Sequence, residues 1–199
     1  MLDTAMPAAA VTGRLTRLAI PAAVAVGVLT AALAAVQLLA PAQPAGGHHF
    51  IRTSDYVIEI LFAASLLTTA CAVLLLGRYH RELGRWGMLG TIAASAYALG
   101  TGLAAISSAA TAARGVETLD VIQLPAIGIW LVAGLLMAIA TVRARVLPIV
   151  VGLGFAAGLP AAMALGNSGP LALAVLWVAV AAALARKRTS AGTPATPRH

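Results

Sequence analysis

The sequence predicts an all-α fold, a polytopic transmembrane helix bundle of six spans. Three observations carry this reading. Hydrophobic residues make up 61% of the 199 residues and charged ones only 10%, against about 45–50% and about 25% in soluble domains. A body folded in water would lack the polar residues to cover it. The apolar residues fall into six runs, about 18-40, 56-77, 86-108, 121-142, 146-165 and 168-185, where a bilayer core about 30 Å thick is crossed by about 20 helical residues. Finally, the runs are uniformly apolar and do not alternate every second residue as barrel strands do. Helices remain, because they satisfy their backbone polar groups within the segment.

The first run, Leu18 to Ala40, follows Arg14 and Arg17 and holds 23 residues. A secretory signal has an apolar core of about 7–15 residues, so this run reads as an uncleaved anchor. The second opens at Tyr56 and carries one ionisable residue, Glu59, near its start. In the third, Gly90, Ala94, Ala98 and Gly102 recur every four residues, and in the fifth Gly154, Gly158 and Ala162 do so. Such stripes let helices approach closely in lipid, and they are expected to pack within the bundle. Pro148 and Pro170 fall in first turns, where the missing N–H costs little, whereas Pro21, Pro125 and Pro160 lie deeper and are expected to kink their helices. The sixth run is the weakest, since its unbroken apolar part, Pro170 to Ala185, reaches only about 24 Å. The expected organisation is an N-terminal segment 1-17, a membrane domain 18-185 and a basic tail 186-199, disordered by composition.

The net charge of +7 and a pI near 11.1 do not indicate nucleic-acid binding, because the basic residues sit between long apolar runs and not on an exposed polar face. They are distributed by loop. Arg14, Arg17, Arg78, Arg81, Arg85, Arg143, Arg145, Arg186, Lys187, Arg188 and Arg198 fall on one side of the predicted bundle, and only Arg52 and Arg114 on the other. Basic residues near span ends stay cytoplasmic. Both termini are therefore expected in the cytoplasm of a plasma-membrane protein, with anionic headgroups and the lipid bilayer as partners. The acidic residues show the reverse preference: Asp55, Glu59, Glu117 and Asp120 lie outside, Asp3 and Glu82 inside.

An ionisable group within a span is costly and defaults to a functional reading with a named partner. Asp55 and Glu59 are four residues apart, on one helix face. The fourth run opens with Asp120 and Gln123, and Gln37, His48, His49 and Tyr56 belong to the same outer rim. If helices two and four are neighbours, Asp55, Glu59, Asp120 and Gln123 form a polar mouth able to take an ion or cationic substrate. The competing reading is interfacial, with side chains that snorkel to water or pair with Arg52 and Arg114. Tyr79 and Trp86 fit an aromatic belt, and Tyr97, Trp130 and Trp177 are expected to make ordinary bundle or lipid contacts.

Much chemistry is excluded. The lone Cys71 gives no disulfide or CxxC site. Lys187, the one lysine, lies in the tail, so no retinal Schiff base forms within the membrane. No histidine falls inside a predicted span, which argues against bis-histidine haem. HExxH, GxSxG and P-loop patterns do not occur, and no span carries the aspartates of a magnesium-dependent lipid transferase. No cofactor or metal is called for. The Ala-rich, lysine-poor chain resembles, in style and over its whole length, uncharacterised six-span integral membrane proteins of high-GC bacteria. That resemblance implies no activity. The sequence thus reads as a non-enzymatic membrane protein of accessory, scaffolding or regulatory type, with a second copy or another membrane protein as a partner class. The alternative is a small transporter or ion-coupled permease with Glu59 and the outer carboxylates in its pathway.

Overall fold

The computed structural model describes residues 8–40, 50, 52–115 and 121–191, the side chains of 8–16 and 188–191 excepted. Within them lie six α-helices and no strand: α1 (Ala8–Leu39), α2 (Thr53–Glu82), α3 (Gly87–Arg114), α4 (Gln123–Ala144), α5 (Ile149–Ala164) and α6 (Gly169–Ala191), with a 3-10 turn at Gly166–Ser168 before α6. Five of these helices are long and apolar enough to cross a membrane. Their outward faces carry large aliphatics, with Val28, Leu67, Ile106, Val132 and Val175 each more than half exposed. A water-soluble body rarely shows so broad an apolar surface. The chain is built as a multi-pass membrane protein.

Each helix packs on its neighbours in sequence, and α6 closes against α1. The pairs run antiparallel: Glu59 of α2 meets Ser108 of α3, while farther along α2 a Cβ placed on Gly77 would lie 3.0 Å from the Ala94 Cβ. The result is an up-and-down ring in which α1 begins and α6 ends at the same end of the bundle. That end also carries the α2–α3 and α4–α5 turns, and with them Arg78, Arg81, Arg85, Arg143 and Arg145. It is called the basic end below.

Close approach is set by backbone. A Cβ at Gly100 would sit 2.8 Å from the Trp130 nitrogen of α4, and one at Gly134 would sit 2.6 Å from the Phe155 carbonyl oxygen of α5. Small residues at crossings substitute for the hydrophobic drive that lipid cannot supply. The expected stripes are partly confirmed. Gly154 and Gly158 face Leu173 and Leu176 of α6, and Gly90 lies under the Trp86 ring, but a Cβ on Gly102 would meet nothing within 4 Å.

Several boundaries move. α1 starts ten residues before its expected span and runs through Pro21. α2 continues five residues beyond position 77, which puts Arg78, Tyr79, His80, Arg81 and Glu82 in helix and not in a loop. α4 begins at Gln123, so Pro125 sits harmlessly in a first turn and not in the interior. The weak element is α5 and not α6. Its 16 residues rise only about 24 Å, because Arg145 adopts a left-handed φ of 51° and Pro148 is extended at φ −55°, ψ 143°. That turn consumes residues expected to be helical and buries Val146 and Leu147. Meanwhile α6 extends through its basic residues to Ala191. Tyr79 and Trp86 are buried at 5% and 4% exposure, so they are core residues and not an interfacial belt. Residues 1–7 and 192–199 of the predicted terminal segments lie outside the described residues.

Candidate functional site

The end opposite the basic end holds Asp55 and Glu59, but not in the predicted arrangement. Asp55 is 6% exposed and serves its own helix, since its Oδ2 accepts the Arg52 backbone N–H at 3.0 Å. A carboxylate there also complements the positive end of the α2 dipole. Glu59, one turn further in, is half-buried and accepts the Ser108 hydroxyl of α3 at 2.5 Å through Oε2. Above this pair the two helix ends are tied again: the Phe50 N–H donates to the Gly115 carbonyl at 2.8 Å, and Phe50 packs edge-on against Tyr56 with centroids 5.1 Å apart. Gly115 ends α3 in the left-handed region, at φ 64°. A side chain there would also collide with Tyr56, whose hydroxyl lies 2.5 Å from the position of a Cβ.

The expected pairing of helices two and four does not occur, because α3 lies between them in the ring. Gln123 opens α4, half-buried, and is not part of the Glu59–Ser108 pair. Asp120, Glu117, His48 and His49 lie outside the described residues. Among the described residues no group of three or more His, Cys, Asp or Glu side chains could hold a metal.

What the fold assembles at this end is a chamber of about 190 Å³ inside the ring. Thr30, Leu33 and Gln37 line it from α1, Phe62, Ser65, Leu66 and Thr69 from α2, and Trp130 from α4. Leu159, Ala162 and Met163 of α5, with Leu173 and Trp177 of α6, add to the wall. Met163 is 60% exposed and Gly166 is exposed, which marks the mouth at the end opposite the basic end.

The polar groups of the wall are neutral, and most are engaged. Thr30 donates to the Val26 carbonyl at 2.7 Å, Ser65 to Phe62 at 2.8 Å and Thr69 to Ser65 at 2.7 Å. These are back-bonds within a helix. Gln37 and Trp130 differ, for the Gln37 Oε1 and the Trp130 Nε1 are buried and have no hydrogen-bond partner among the described residues. An unmet buried acceptor costs about 1–3 kcal/mol.

The chamber has a floor. Trp130 packs edge-on against Tyr97, Tyr97 against Phe155 and Phe155 against Trp177, each pair with centroids 5.9 Å apart. Four rings from four helices thus bridge the ring of helices. Below them, toward the basic end, Val73, Leu76, Val180 and Leu184 are at most 1% exposed. The chamber is a dead end and not a pore. Near the basic end a second buried polar element appears: His80, 0% exposed, donates from Nδ1 to the Leu76 carbonyl at 2.8 Å, and its ring lies 4.2 Å from that of Trp86.

The sequence reading named Gln37 as a rim residue but missed Thr30, Ser65 and Thr69 as wall residues and treated Trp130 and Trp177 as ordinary contacts. Their spacing held a signal. Positions 30, 33 and 37 of α1 and 62, 65, 66 and 69 of α2 each share one helix face, and each face mixes hydroxyl or amide groups with large apolar ones. Compared with protein-family profiles, curated proteins and solved structures, the chain matches none.

Proposed function

We propose that the protein is a non-enzymatic integral membrane protein that takes a small neutral molecule into its chamber and serves an accessory or regulatory role. The observation that carries this reading is a blind, uncharged chamber in which the Gln37 amide oxygen is buried without a hydrogen-bond partner among the described residues. Its size limits the guest. A dry cavity of about 150 Å³ accepts benzene, whereas drug-sized pockets run about 300–1,000 Å³. An ionic guest would need a counter-charge, and neither Asp55 nor Glu59 lines the wall. A hydroxyl suits Gln37, since it can donate to or accept from the amide. The basic end is read as cytoplasmic and the membrane as a bacterial plasma membrane, on the strength of the arginine distribution.

The chamber supplies its own probe, because Trp130 and Trp177 line it and Trp86 is the one other tryptophan of the chain. In a Trp86→Phe background, 4-iodobenzyl alcohol, a neutral heavy-atom quencher with one hydroxyl, is expected to quench tryptophan emission saturably. Ala162→Phe, which fills the chamber, should abolish saturation, and Gln37→Leu should weaken binding about two- to tenfold. Quenching that rises linearly, as simple partitioning does, and is unchanged by Ala162→Phe would refute the reading. An ion-coupled permease is the second reading, supported by the half-buried Glu59 and its bond to Ser108.

A further inference from the structure

On the lipid-facing side of the basic end, α2 and α3 enclose a separate recess of about 120 Å³, lined by Leu74, Gly77, Arg78, Arg81, Thr91, Ala94 and Ser95. Small residues create it. Gly77 and Ala94 bring the two helices so close that a Cβ on Gly77 would lie 3.0 Å from that of Ala94, leaving a notch beneath the longer side chains. Arg78 and Arg81 are three residues apart on one helix face, both exposed, and neither forms an ion pair with another described residue. Thr91 has its hydroxyl engaged with the Gly87 carbonyl at 3.2 Å, which leaves Ser95 as the hydroxyl donor of the α3 wall. The positive end of the α3 dipole lies at the same level and favours an anion there.

Two arginines without an ion pair among the described residues, in a notch on an outward helix face, call for an anion, since guanidinium forks match phosphate oxygens in pairs. The surface toward the bundle middle identifies what carries that anion. Leu67 and Leu74 continue the Arg78–Arg81 stripe on α2, and Ile92 and Leu99 flank it on α3, all between 45% and 59% exposed. A phosphate in the notch therefore sits at one end of an apolar track that runs into the membrane. We infer that the Arg78–Arg81–Ser95 notch is a binding site for the phosphodiester headgroup of an anionic phospholipid, whose acyl chain lies along Leu74 and Leu67. The site needs the bundle to sit in a bilayer with its basic end at a headgroup layer, and is independent of what the chamber holds.

The test uses the full chain, purified in mild detergent, in native mass spectrometry with phosphatidylglycerol or phosphatidylcholine added. One phosphatidylglycerol per chain should be retained in preference to phosphatidylcholine. Arg78→Gln and Arg81→Gln should each weaken that retention about fivefold, with the double variant more than about tenfold weaker. Arg143→Gln with Arg145→Gln removes equal charge at the same end and should leave it intact. Circular dichroism of each variant confirms that it is folded, which is expected because both arginines are exposed. Equal loss in the Arg143/Arg145 variant would assign the effect to diffuse charge and overturn the site. So would equal retention of phosphatidylcholine, or displacement of the lipid by millimolar inorganic phosphate, which would mean that the free anion alone is recognised.

Discussion

Glu59 illustrates how a single ionisable residue is placed within an apolar helix. Its Oε2 takes the Ser108 hydroxyl across the α2–α3 contact at 2.5 Å, at the half-buried depth where an unmet carboxyl would be costly. Hydrogen bonds between membrane helices average about 0.6 kcal/mol and reach about 1.7, while bonds to charged groups in water-soluble proteins contribute about 1.5–3 kcal/mol. Ser108→Ala is therefore expected to cost about 1–2 kcal/mol, and Glu59→Gln a similar amount. The pair should show a coupling energy in a double-mutant cycle followed by denaturant unfolding in detergent. If the cycle closes at zero, the bond does not contribute to stability. Flux measured on Glu59→Gln in proteoliposomes separates this structural role from the permease reading, which requires transport to be abolished.

At the scale of the helix, backbone proximity decides which glycines matter. Gly100 and Gly134 face backbone atoms of α4 and α5, 2.8 Å and 2.6 Å from where a Cβ would sit, whereas Gly102 and Gly128 would meet nothing within 4 Å. Backbone cannot swing aside as a side-chain tip does. Gly100→Ala and Gly134→Ala are expected to destabilise by about 1–3 kcal/mol through overpacking. Gly102→Ala and Gly128→Ala should be neutral or should stabilise by up to about 1 kcal/mol, the difference in helix propensity. Thermal unfolding of the four variants in one detergent checks the contrast, and four equal effects would mean that propensity and not packing governs these sites. The regular four-residue stripe in α3 included Gly102 and omitted Gly100, because spacing along one helix does not reveal where the neighbouring helix passes.

For the whole molecule, the even number of helices is what allows an up-and-down ring to close with antiparallel neighbours throughout. α1 and α6 pack together, so α1 begins and α6 ends at the basic end. With basic residues retained in the cytoplasm, a reporter fused after Arg188 is expected to read as cytoplasmic, and labels directed at the exposed residues Arg81, Glu82 and Arg85 should react only after the membrane is opened. A reporter active outside would invert the proposed orientation and place the chamber mouth inward. The ring also explains why the chamber is blind: four aromatic residues from α3, α4, α5 and α6 meet at its middle, their centroids 5.9 Å apart along the series.

The sequence by itself determined the all-α class and the six helices, because hydropathy acts locally and each segment must satisfy its own backbone in lipid. It also picked out Asp55 and Glu59 as the ionisable residues near a span end. Which helices touch was decided only by the tertiary structure. Composition gave Glu59 no means of choosing between Gln123 on α4 and Ser108 on α3, and ring closure put α3 beside it. The chamber was hidden for the same reason. Gln37, Thr69, Trp130 and Trp177 lie far apart in the chain, and only the packing of α1, α2, α4 and α6 around a common centre brings them to one wall.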